Sequence, residues 1–239
     1  MNILITIPHY SNFIPKKYSD SYLISTKVMD ANIDYATDKI FEFKEISCIK
    51  ATASRFVVDL NRERNDFKKG QGVIITETWA NEKVLKKELS ESEVEDRLKF
   101  FYDPFYEKLD FFLNKSKEPL LVIAGHSMDS IGSESTGDNG EERPEICLAI
   151  GRGTVSKEIL SLFEKEFKIA GYTVKINNPY SGKRAKLSYY CSAISNVQAI
   201  EVEINKKVYM DEKTFLLKEE SIKKLRETLL RIIKKVKKL

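Results

Sequence analysis

The stretch "LLVIAGHSMDS", Leu120–Ser130, runs apolar from Leu120 to Ala124, breaks at Gly125 and then presents His126. A run this short, rich in Val and Ile, reads as a buried strand rather than a helix. It is continuously apolar instead of alternating, so both its faces should be covered, as in parallel sheets. His126 then stands just past a strand end. The chain of 239 residues holds 2 histidines, and the other, His9 in "ITIPHYSNFIP", follows the apolar run Ile3–Ile7 in the same way. In open α/β sheets ligands bind beyond the carboxyl ends of the strands. Two histidines at equivalent positions therefore mark one edge of the sheet as the candidate site.

Working outward, Phe56–Leu60, Ile146–Ile150, Thr173–Ile176 and Ala199–Ile204 read as further strands. Between them Val94, Leu98, Phe101, Phe105, Leu109 and Phe112 follow steps of three and four, a helical stripe. Pro104 should kink or split that helix. Val155–Phe167 reads as another helix, with Thr154 or Ser156 as its N-cap. A last helix begins near Glu219, with Ile222, Leu225, Leu229, Ile232, Ile233 and Val236 on one face. Strands alternating with helices give a layered α/β fold. No repeat or linker interrupts the pattern, so residues 1–239 read as a single domain. The irregular stretch Met128–Glu145, with Gly132, Gly137 and Gly140, directly follows His126 and reads as a mobile lid over the site.

The charge balance is mild, Lys+Arg 40 against Asp+Glu 36 for a net +4, and gives no reason to expect a nucleic-acid partner. The N-terminal apolar run is short and lacks a basic leader, and no run approaches the roughly 20 residues of a membrane span. Cys48, Cys147 and Cys191 are scattered and form no CxxC pair. They read as structural thiols in a reducing, cytoplasmic setting. Oligomeric state is not legible.

Two more segments carry polar groups at strand ends. "SRFVVDLNRER" closes on Asp59, Asn61 and Arg62, and "AIEVEIN" alternates Glu201, Glu203 and Asn205 with apolar residues. Glutamate inside a strand is unfavourable unless it faces solvent on an edge strand or is employed. Two imidazoles, carboxylates and an arginine gathered at one edge suit zinc hydrolysis. Imidazoles and one carboxylate hold Zn²⁺ with a position left open. A second carboxylate moves protons. An arginine forks onto a substrate carboxylate.

With these residues in place, the chain resembles the N-formylglutamate amidohydrolase family, relatives of zinc carboxypeptidases and aspartoacylases. The resemblance is carried by "IPHYSNFIP", "DYATDKIFEF", "ATASRFVVDLNRERND", "YDPFYEKL", "LLVIAGHSMDS", "RPEICLAIGRG", "NNPYSGKR" and "IEVEINKKVYMDE", in the family's order. It implies a three-layer α/β/α fold around a mixed, largely parallel sheet, zinc-carboxypeptidase-like. It implies Zn²⁺ as cofactor and hydrolysis of an N-acyl amino acid, typically N-formyl-L-glutamate, to formate and glutamate. By that likeness His9 and His126 are zinc ligands and Glu203 is the general base. Asn61 and Arg62 would hold a substrate carboxylate, with Arg55 a second candidate. The "NPYSG" segment, with Asn178 and Tyr180, would line the pocket. The carboxylate ligand would come from Asp34 or Asp38, of which Asp38 is preferred.

The chain also departs from the family pattern. Ala124 stands where relatives often carry an aspartate, and Lys206 where an arginine is usual. Lys183 replaces a common glycine, and Ala36 replaces a frequent histidine. The acyl group and amino acid are therefore open, and a zinc peptidase or another N-acyl amino acid deacylase is the alternative. A non-catalytic binding protein is a further one. It rests on the basic C-terminal helix with Lys223, Lys224, Arg226, Arg231, Lys234, Lys235, Lys237 and Lys238. The simpler reading of that helix is an apolar stripe on the sheet and solvated charges elsewhere, with a small-molecule substrate and neither nucleic acid nor membrane as partner.

Overall fold

In the computed structural model, which describes residues 1–181 and 186–239, six strands form one sheet in the order β2-β1-β3-β6-β4-β5. They are β1 (Asn2–Ile7), β2 (Ser47–Lys50), β3 (Leu120–Met128), β4 (Ile146–Ala149), β5 (Val174–Ile176) and β6 (Val197–Asn205). Every neighbouring pair is parallel except β4, which runs antiparallel to β6. The helices are α1 (Lys16–Ser19), α2 (Thr26–Asn32), α3 (Thr37–Phe41), α4 (Glu91–Arg97), α5 (Asp103–Lys115), α6 (Lys157–Ile169), α7 (Lys186–Ser192), α8 (Lys206–Tyr209) and α9 (Glu219–Val236).

Alternating strand positions feed two separate apolar clusters, which makes the three layers. Leu120, Val122, Ala124, Val197 and Ala199 pack with Leu109 of α5 and Leu187 of α7. Leu121, Ile123, Ile200, Val202 and Ile204 pack with Phe41 of α3, Phe163 of α6 and Leu225 of α9. Each fully buried Leu, Ile or Phe in these faces is worth about 1.5–3 kcal/mol over its exposed state. The expected α/β/α architecture with a mixed, largely parallel sheet is therefore what the chain forms.

Several local expectations need correcting. β3 does not stop at Gly125 but runs on to Met128, so His126 sits inside the strand. Gly125 is small for another reason: a Cβ there would lie 2.5 Å from Cγ of Phe41. Phe56–Leu60 is not a strand; it forms a buried turn segment in which Val57 N donates to Ser54 O. β2, "SCIK", escaped notice because only Ile49 in it is buried. β6 is no edge strand, since β3 and β4 flank it.

Pro104 lies in the first turn of α5, and because the chain is already helical before it, its missing N–H interrupts the run of backbone bonds there. The expected split falls just before it, as a π-helical turn over Leu98–Tyr102. That turn is useful to the site. Tyr102 and Tyr106 stack at 4.4 Å, and their hydroxyls donate to Arg62 O and Leu60 O.

The C-terminal helix buries the expected stripe. Part of its positive charge is already engaged: Arg226 donates to the carbonyls of Lys39 and Glu42, and Arg231 and Lys235 pair with Glu166. The 128–145 stretch, expected as a mobile lid, is folded on itself, with Ile131 bridging to Glu142 and Ser130 held by Glu212. Among the described residues no helix is long and apolar enough to cross a membrane.

Candidate active site

The site lies on the face of β3 and β6 that carries Ala124 and Ala199, one step further toward the strands' carboxyl ends. Positions two apart on a strand share a face. His126 therefore follows Ala124, and Glu201 and Glu203 follow Ala199. His126 and Glu203 are register partners on adjacent strands. β1 delivers His9 two residues beyond its last position, Ile7. The third contributor, Asp34, sits between α2 and α3, and its backbone N–H donates to His9 O at 3.0 Å. That one bond clips the acidic turn onto the end of β1.

These three side chains converge. His126 Nδ1 lies 2.9 Å and His9 Nδ1 3.5 Å from Asp34 Oδ2. All three donor atoms lie within 4.8 Å of one another, and among the described residues they are the group of His, Cys, Asp and Glu able to hold a metal ion. Around a tetrahedral zinc with ligands at about 2.0–2.1 Å, donor atoms stand roughly 3.3 Å apart. The observed spacings bracket that value, so the residues fit the ion that the resemblance implies.

Behind the cluster, His9 Nε2 hydrogen-bonds Asp59 Oδ1 at 2.7 Å. A buried carboxylate accepting from Nε2–H leaves the Nδ1 lone pair aimed at the cluster, the usual support for a metal-bound imidazole. Asp59 in turn receives Arg55 Nη2 at 2.7 Å and the Asn61 backbone N–H at 2.9 Å. His126 has no such support. Its Nε2 is buried and without a hydrogen-bond partner among the described residues.

The electrostatics follow from burial and pairing. Burial alone would raise the Asp34 carboxyl, but hydrogen bonds to His126 and His9 outweigh it and hold the pKa well below the usual range. Asp59 is likewise held low against its burial, by His9, Arg55 and Arg62. Burial disfavours the charged His126 ring, yet its bond to Asp34 and the nearby Glu203 and Glu201 lift its pKa to about 9. Glu203 is pushed up to about 8, first by burial, and its Oε2 has no partner among the described residues. Glu201 is raised too, chiefly by burial, and accepts from Asn61 Nδ2 at 3.3 Å. A cation on the cluster would pull these carboxyls back down.

A cavity opens over the cluster. It is lined by His9, Asp34, His126, Glu201 and Glu203, with Arg55, Asn61, Arg62 and Tyr180 among the residues foreseen from sequence. Arg62 is the notable cation: among the described residues its hydrogen bonds go to carbonyls, Gln71 O at 2.9 Å and Asn61 O at 3.0 Å. Asn61 is oriented from both sides, since its Oδ1 accepts from Leu187 N. Arg55 lies 5.3 Å from the Trp79 ring.

Two placements differ from expectation. Asp38 does not reach the cluster. It lies half-buried in the first turn of α3, near Tyr10 and Lys50. The two aspartates do not share a helix, because α3 begins only at Thr37, after a left-handed residue at Ala36 with φ 61°. Asn178 is exposed and lies outside the cavity lining. Gly182 and Lys183 lie outside the described residues. Sequence reasoning missed Asn32, Trp79 and Asp129, which also line the cavity. Trp79 comes from an irregular segment, where no periodicity points to it.

Against known proteins, the family model described as N-formylglutamate amidohydrolase matches residues 1–210. The fold is similar to the crystal structure of N-formylglutamate amidohydrolase from Ralstonia eutropha JMP134, with a TM-score of 0.84 and 20% identity, over 99% of this chain and 94% of that one. It is also similar to a gene product of Agrobacterium tumefaciens, with a TM-score of 0.75 and 17% identity, over 99% of this chain and 92% of that one. No curated protein matches the chain significantly.

Proposed function

Because the chain belongs to the N-formylglutamate amidohydrolase family, we propose that it hydrolyses the amide bond of an N-acyl amino acid at a zinc centre. The substrate we assign is N-formyl-L-glutamate, with water consumed and formate and L-glutamate released. The observation that carries this reading is the convergence of His9, Asp34 and His126 within 4.8 Å, beside Glu203, whose Oε2 has no partner among the described residues.

His9, Asp34 and His126 would hold the zinc ion, which would supply a Lewis acid for the carbonyl and for water. The protein's own groups do the rest. Glu203, with no hydrogen bond at Oε2 among the described residues, takes a proton from the attacking water. It then delivers that proton to the nitrogen leaving as the amine, the work of a general base turned general acid. Arg62, which among the described residues bonds to backbone carbonyls, forks onto the substrate's α-carboxylate. The remaining Nδ2 hydrogen of Asn61 adds a second contact. Arg55 acts through Asp59, keeping His9 in the tautomer that binds metal. Tyr180 supplies a hydroxyl to the pocket wall.

Purified protein is expected to carry about one zinc per chain, as a single tetrahedral site demands, and to release formate from N-formyl-L-glutamate. Release of the amino acid from N-acetyl or dipeptide substrates, with N-formyl-L-glutamate inert, would move the reading to another deacylase or a peptidase. No hydrolysis of any of these by zinc-replete protein would overturn it.

A further inference from the structure

Arg143 is 5% exposed and belongs to the 128–145 loop. All five of its N–H groups are used. Nε donates to Asp138 Oδ2 at 2.8 Å, and Nη2 to Thr136 Oγ1 at 2.8 Å and Asp138 Oδ1 at 2.9 Å. Nη1 donates to Asp129 O at 3.3 Å and to the Tyr180 hydroxyl at 3.2 Å. Five donors meeting five acceptors leave this arginine nothing with which to bind a substrate. Four of those acceptors lie in the loop itself. The fifth, Tyr180, is the one outside it, and Tyr180 lines the cavity beside Glu203.

The direction of that bond matters. Arginine cannot accept, so the Tyr180 oxygen is the acceptor and the phenol keeps its own proton. That proton goes to no protein group among the described residues. The guanidinium also lies 5.2 Å from the centre of the Tyr180 ring, and Cys147 Sγ donates to the Tyr180 backbone carbonyl at 3.5 Å. Burial, with Glu203 next in effect, raises the phenol's pKa and keeps it a donor.

We infer that Arg143 is a positioning residue: it fixes Tyr180 so that the phenolic proton is offered into the cavity, where Tyr180 donates to an oxygen of the bound N-acyl amino acid. The inference rests on the amide-hydrolase reading of the site. It gives the 128–145 loop a task, that of a cradle built around one guanidinium.

The test is a double-mutant cycle in the zinc-loaded protein with N-formyl-L-glutamate. Arg143→Met and Tyr180→Phe are each expected to lower kcat/KM by roughly 10–100-fold, the worth of one well-placed hydrogen bond to a substrate oxygen. The double variant should fall within about threefold of Tyr180→Phe alone, the mark of residues acting as a unit. Arg143→Lys, which keeps one donor for Tyr180, should recover part of the loss, and it closes the cycle if Arg143→Met does not fold. Losses that multiply in the double variant would overturn the inference. So would a lowered melting temperature with kcat/KM intact. The same cycle, read as affinity for N-formyl-L-glutamate in a Glu203→Gln background, needs no turnover. A wild-type protein inert toward all N-acyl amino acids sinks the functional reading, whereas an active one with additive losses sinks only the role of Arg143.

Discussion

Strands β3 and β6 carry two kinds of surface on one face. In their first halves Leu120, Val122 and Ala124 lie beside Val197 and Ala199 under Leu109 and Leu187. In their second halves the same face presents His126 beside Glu201 and Glu203, buried just as deeply. The backbone and register are continuous across the boundary. The opposite face shows no such change on β6, where Ile200, Val202 and Ile204 stay apolar throughout. A parallel sheet thus holds side chains in place whatever their chemistry, and the difference between core and site is made locally. The apolar half needs no partners. The polar half needs many and lacks some, since His126 Nε2 and Glu203 Oε2 find none among the described residues. Buried polar groups without partners cost free energy, a cost that the apolar half does not carry.

If the halves are separable in this way, substitutions in them have opposite signatures. Glu203→Gln should lower kcat by roughly 10²–10⁴-fold, the range for loss of a general acid–base, with zinc content and melting temperature unchanged. Leu109→Ala, in the apolar half, should lower stability by about 2–5 kcal/mol while kcat/KM of the folded protein stays as it was. Denaturant titrations and steady-state kinetics on both proteins check this. A folded Leu109→Ala protein without activity would break the comparison.

A smaller effect sharpens it at the boundary. Gly125→Ala puts a methyl group against Phe41 and should destabilise by about 1–3 kcal/mol. Combining it with Phe41→Leu should return part of that loss. Equal stability of Gly125→Ala and the parent would show that the close approach of α3 does not fix this residue.

How much of this was legible depends on what each signal reports. Hydrophobic runs report burial, so the core strands, α6 and α9 could be read directly, and with them the layered fold. The same signal misplaced Phe56–Leu60, whose side chains are buried in a turn rather than a strand. It ended β3 at Gly125 because a glycine looks like a break, when the cause is a phenylalanine from a distant helix. His9, His126, Glu203 and Arg62 could be proposed from strand-end position and family resemblance, and the structure brings all four to one cavity. Asp34 was ranked below Asp38 because choosing between them depends on where α3 begins. A left-handed residue at Ala36 is a tertiary fact that periodicity does not carry. Arg143 gave no sign of its five acceptors, since those are set by how the loop closes.

The central claim, that His9, Asp34 and His126 form a zinc centre, is tested most directly by the zinc content of purified Asp34→Ala beside Asp38→Ala and the parent. The parent and Asp38→Ala should each hold about one zinc per chain, and Asp34→Ala, left with two of three protein ligands, should lose it on dialysis. Full zinc in folded Asp34→Ala, or its loss from Asp38→Ala instead, would contradict the account.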